Sequence, residues 1–155
     1  MGDSDLDVVS LIEKLNRALA DEWLAYYQYW MGAKLATGAM KEKVVEELEE
    51  HAGDELRHAG MVADRIIQLG GTPILDPKAW HTAANCGYEV PEDPSTAKLL
   101  EQNIKGERCA IRVYKAIMEM TQNKDRTTFS MAEEIMQDEI EHEEDLKKIQ
   151  ADIGN

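Results

Sequence analysis

Four stretches of this 155-residue chain repeat apolar residues every three or four positions, and in each a glutamate stands on the apolar stripe. Val8, Ile12, Leu15, Leu19, Glu22, Tyr26, Tyr29 and Ala33 mark the first, and Val44, Leu48, His51, Glu55, His58, Val62 and Leu69 the second. Leu100, Ile104, Glu107, Ile111, Tyr114 and Met118 mark the third, and Ala132, Ile135, Glu139, His142, Leu146, Ile149 and Ile153 the fourth. Such steps keep one helix face turned the same way, so each stripe is expected to face a core. Four carboxylates brought together there are each desolvated and repel one another. The chain is thereby constrained to a helical bundle with something positive among its inward glutamates.

Two of these glutamates lie in copies of one motif, Asp54-Glu55-Leu56-Arg57-His58 and Asp138-Glu139-Ile140-Glu141-His142. Glu55 follows the lone Glu22 by 33 positions and Glu139 follows Glu107 by 32, so the second half repeats the first. Glutamate and histidine three residues apart share a helix face. A chain rich in glutamate produces Glu-x-x-His by chance on solvated faces, but here all four helices place these residues inward. Two divalent cations would offset the repulsion, and oxygen-rich ligation with one imidazole each suits iron or manganese better than a thiolate-seeking ion. A glutamate from each of two helices plus Glu-x-x-His from each of two others is the ligand pattern of ferritin-like di-iron and di-manganese bundles.

Breaking residues divide the chain into helical segments at about 5–37, 40–69, 95–122 and 126–151. Gly38 interrupts the first pair, and residues Asn123 to Asp125 the second, giving two antiparallel hairpins with short turns. Gly70-Gly71 stops the second helix, and Ser95 is placed to cap the third. Pro73, Pro77, Pro91 and Pro94 all lie between the hairpins, in a crossover that returns along the bundle. Within it, the run from Asp76 to His81 has room for one short helix with Pro77 in its first turn, leaving His81 as a surface or pore residue. The expected fold is all-α: a ferritin-like four-helix bundle of two hairpins and a long crossover, one domain over residues 1–155.

No apolar run approaches membrane-spanning length, and the acidic start Met1-Gly2-Asp3-Ser4-Asp5 lacks the regions of a secretion signal, so a cytoplasmic location and no membrane partner are expected. The formal net charge of −14, without a basic cluster at either terminus, disfavours nucleic acid as a partner. An acidic surface attracts metal cations, and equally serves solubility.

With these positions in hand, the chain resembles the bacterioferritins and, more closely, the Dps-like proteins called thioferritins, over essentially its whole length. The matching motifs are Asp21-Glu22-Trp23-Leu24, Asp54-Glu55-Leu56-Arg57-His58, Gly106-Glu107-Arg108-Cys109 and Asp138-Glu139-Ile140-Glu141-His142. The resemblance implies two iron ions per subunit, with manganese as the alternative. It makes Glu22 and His58 terminal ligands of one metal, Glu107 and His142 of the other, and Glu55 and Glu139 bridges. Asp54 and Asp138 are expected to accept hydrogen bonds that orient the imidazoles, or else to be solvated or salt-bridged carboxylates. Tyr29 and Tyr114, each seven residues after a terminal glutamate, are expected to pack near the metals with satisfied hydroxyls. His51, one turn before Glu55, is expected to be a partly buried or inner-surface residue rather than a metal ligand.

The bacterioferritin haem methionine is replaced here by Leu56, so no haem is expected. The fifth helix that completes a 24-subunit ferritin cage is not expected after the fourth, which favours the 12-subunit cage of Dps-like proteins. Cys86 and Cys109 match the thioferritin cysteine pair, and that likeness implies a disulfide; from the residues alone, two free thiols remain open. The implied function is a ferroxidase that oxidises Fe(II) with hydrogen peroxide or oxygen, stores the product in a homo-oligomeric cage and protects against oxidative stress. The competing readings are a di-manganese or di-iron peroxidase or catalase without storage, and a DNA-compacting shell. The lack of Cys-x-x-Cys weighs against a rubrerythrin, and the intra-bundle ligand set and net acidity against the shell.

Overall fold

The computed structural model describes residues 6–154. Its four long helices are α1 (Val8–Leu35), α2 (Lys41–Gln68), α4 (Thr96–Thr121) and α5 (Arg126–Gly154); α3 (Trp80–Ala83) lies in the crossover after a 3-10 turn at Pro77–Ala79. Helices α1 and α2 pack as one hairpin and α4 and α5 as the other. The first helix begins later than residue 5, which lies outside the described residues. Asp7 stops it by accepting the amide of Ser10 at 3.1 Å, filling one of the donors that a helix start leaves open. Val8, expected on the inward stripe, is instead 39% exposed in the first turn, and Leu11 is the first buried residue of the helix.

Gly38 turns the first hairpin at φ +106°, a conformation that costs glycine nothing. Met40 also has positive φ, which nothing in its side chain signals. Asp125 accepts the Thr128 amide at 3.0 Å at the start of α5 and is held by Arg65 at the same distance. Ser95 caps α4 by accepting from Lys98. An isolated parallel bridge between Thr37 and Ser95 ties the end of α1 to the start of α4.

The crossover is laced to α1 by polar side chains. Asn16 binds Thr72 and Ile74, Asp21 accepts from Asn85 and from the Cys86 amide at 2.8 Å each, and Gln28 accepts from the Glu89 amide. Trp23 and Trp80 stack with ring centroids 5.2 Å apart. Gly71 permits the close entry, since a Cβ there would meet Ile12 at 2.7 Å.

The apolar core is divided in two. One cluster gathers Leu11, Leu15, Val62, Ile66, Ile117 and Ile135; the other gathers Leu48, Leu99, Leu100, Leu146 and Ile149. Between them, at mid-height of the bundle, runs a buried polar layer.

Candidate metal centre

That layer holds Glu22 from α1, Glu55 and His58 from α2, Glu107 from α4, and Glu139 and His142 from α5, each no more than 3% exposed. All six come together because each stands on the buried face of its helix near the middle of the bundle. His58 Nδ1 lies 3.2 Å from Glu55, 3.4 Å from Glu22 and 3.7 Å from Glu139. His142 Nδ1 lies 3.2 Å from Glu139, 3.4 Å from Glu107 and 3.8 Å from Glu55. Two overlapping donor groups result, with Glu55 and Glu139 common to both.

The donors are under-satisfied. Glu55 Oε1, both Glu139 oxygens, Glu107 Oε2 and the Nδ1 atoms of both histidines are buried without a hydrogen-bond partner. A buried unpaired ion costs several kcal/mol. A well-packed leucine in its place would contribute roughly 1.5–3 kcal/mol, so the layer works against stability unless it binds something. Cations with carboxylate and imidazole affinity fit those donors.

Protonation reports the same crowding. Burial, with repulsion from Glu22 and Glu107, pushes the Glu55 carboxyl up to about 8, and burial raises Glu139 well above its ordinary value. Burial opposes charge on the imidazoles, yet contacts with Glu22 and Glu55 carry His58 up to about 11, and Glu107 carries His142 up to about 10. Protons thus stand in for cations.

Four ties support the donors, and all cross between hairpins. His58 Nε2 donates to Asp138 and His142 Nε2 to Asp54, each at 2.8 Å, which turns both Nδ1 atoms to the centre, where a cation can take the place of the proton. Tyr29 donates to Glu107, and Tyr114 to Glu22 at 2.7 Å. Burial raises both phenols well above their ordinary value, so they remain donors. Asp138 also takes an ion pair from Arg57 at 2.6 Å, a contact the motif alone did not disclose.

Cys86 and Cys109 are joined by a disulfide that clips the crossover to α4. A cavity lined by Asp21, Glu22, Glu55 and Glu107 reaches from the cluster to Cys86 and Gly87, so the disulfide borders it. Burial raises the Asp21 carboxyl despite the hydrogen bonds from the crossover. His81 is exposed beside Tyr88, and Leu56 is 43% exposed. His51 departs from expectation. It is 1% rather than partly exposed, because it stacks on His142 at 3.8 Å with Tyr29 edge-on to it. Burial and the neighbouring His142 push it down to about 3, leaving a neutral ring. No helix among the described residues is long and apolar enough to cross a membrane.

The model of the ferritin-like domain matches residues 12–154. A dodecameric thioferritin, the bacterioferritin-related protein of Bacteroides fragilis, superposes with a TM-score of 0.96 at 50% identity, covering 97% of this chain and 90% of its own. The DNA protection during starvation protein of Pyrococcus furiosus is 34% identical over 89% of this chain and 75% of its own length. A bacterioferritin of Streptomyces coelicolor is 30% identical over 92% of this chain and 80% of its own.

Proposed function

Because the chain belongs to the ferritin-like domain family, we propose that it is a ferroxidase and iron-storage protein that oxidises Fe(II) at a two-iron centre within each subunit. The observation that carries this reading is the buried ring of six donors, two groups sharing Glu55 and Glu139, with oxygens and Nδ1 atoms that find no hydrogen-bond partner among the described residues. Glu22 and His58 would hold one ferrous ion and Glu107 and His142 the other, with the shared carboxylates bridging them. Manganese fits the same donors.

Two ferrous ions side by side surrender two electrons together. With hydrogen peroxide as oxidant, two Fe(II), one H2O2 and two protons give two Fe(III) and two waters, with no hydroxyl radical released. Glutamates at both oxidation states neutralise the added charge; Asp54 and Asp138 fix the imidazoles; Tyr29 and Tyr114 hold Glu107 and Glu22 in place. The cavity from the Cys86 loop offers a small oxidant a route to the centre. Likeness to a dodecameric thioferritin supports a twelve-subunit cage, and its oxidised product would be stored within. The net charge of −14 supports a cage that does not bind nucleic acid, and the expected cytoplasmic location suits an oxidative-stress defence.

Stopped-flow oxidation of Fe(II) by peroxide tests the reading. The wild-type protein should consume one peroxide per two ferrous ions, and Glu55→Ala and Glu139→Ala should lose the fast phase while keeping their helical circular dichroism. Unchanged rates in both variants would overturn it.

A further inference from the structure

His51 has no hydrogen-bond partner at either ring nitrogen although its side chain is 99% buried. Its Nε2 lies 3.2 Å from Glu47 Oε2 and 3.9 Å from Asp145 Oδ2, while the ring also comes within reach of Glu107 and His142 of the six-donor layer. Glu47 Oε2 is itself buried and unpartnered, while its other oxygen is engaged by Lys43 at 3.2 Å. The approach of nitrogen to oxygen is too misaligned to count as a hydrogen bond, so two buried polar atoms face each other with nothing shared between them. Ligand atoms each about 2.1 Å from one cation stand about 3–4 Å apart; His51 lies at such distances from both carboxylates, and all three donors fall within 4.8 Å of one another.

We propose that Glu47, His51 and Asp145 form a third divalent-cation site, adjoining the six-donor layer through the His51–His142 stack and adding Glu47 and Asp145, which that layer does not use. Two carboxylates and one imidazole suit a first-row ion such as Mn2+ or Fe2+. Asp145 is on α5 three residues beyond His142, and Glu47 is two turns before Glu55, so the site spans both hairpins. Asp145 is 44% exposed at its side chain, which opens the site to solvent where the six-donor layer is closed. An ion held here waits one imidazole away from the centre, between solvent and the buried donors.

The test is anomalous diffraction from crystals of the whole assembly soaked in Mn2+ alone, with bound manganese per subunit measured in solution. The wild-type protein should show density between Glu47, His51 and Asp145 and bind one ion more per subunit than the double variant Glu47→Gln/Asp145→Asn, in which that density vanishes. His51→Phe preserves the ring stack and should lose the same ion. Wild-type crystals with no density at these three residues would overturn the site, whatever the six-donor layer holds; density that persists in the double variant would overturn it too. An empty six-donor layer would count against the proposed ferroxidase and leave the third site to its own peak.

Discussion

Asp54 accepts from His142 on α5, 2.8 Å away, and makes no hydrogen bond to His58 on its own helix. Asp138 repeats the exchange toward His58. Each motif therefore supplies a glutamate and a histidine to the centre and an aspartate to the other motif's histidine. Loss of an outer acceptor of this kind typically weakens metal affinity 10–100-fold. Asp54→Asn and Asp138→Asn should each lower Mn2+ affinity by about that range in calorimetric titration, with the bundle intact. An affinity change below about threefold would mean the imidazoles are oriented by packing instead.

Removal of metal should invert the pH dependence of stability. Glu55 rises from 4.5 to about 8 on folding, and His58 and His142 from 6.5 to about 11 and about 10. A group raised on folding contributes fully below its unfolded value and loses that contribution as pH rises through its folded value. For Glu55 the loss spans about pH 4.5 to 8, and for the imidazoles it begins near 6.5. Chelator-treated protein should melt at progressively lower temperature from pH 6 to 9. Mn2+ must displace those protons, so the loaded protein should hold or gain stability over the same range. Parallel curves with and without metal would contradict the proton-filled centre.

The six inward donors were legible because burial follows helical period: a glutamate in register with Leu15 or Leu48 has nowhere to point except the core. The hairpins, the crossover and its short helix followed from glycine and proline placement. What stayed hidden depends on contacts distant in sequence. The crossing of Asp54 and Asp138 is set by how two hairpins meet, and the burial of His51 by the ring of His142 from another helix. Asp21 was visible beside Glu22, but its hold on Asn85 and Cys86 needs the path of the crossover.

Replacing Cys86 and Cys109 with serine should spare the six donors, since Asp21 and Gln28 still clasp the loop. The first round of iron oxidation should continue. Closing a loop of this length typically adds about 3 kcal/mol, so the denaturation midpoint should fall accordingly. No fall would assign the disulfide a role other than holding the crossover.

Assembly is open to a direct mass measurement. Twelve chains of 17.5 kDa make a particle of about 210 kDa by light scattering. A particle of twice that mass would match a 24-subunit cage, and a stable dimer would argue against storage.

The crossed ties also bear on biosynthesis. A ribosome releases α1 and α2 first, carrying Glu22, Glu55 and His58, but the acceptor for His58 and the phenol for Glu22 come only with Asp138 and Tyr114. A nascent or truncated chain thus offers ferrous ions an incomplete, solvent-open cradle. On the proposed chemistry, a polypeptide gains redox competence only once its last helix has docked, so the fold withholds iron oxidation from unfinished molecules.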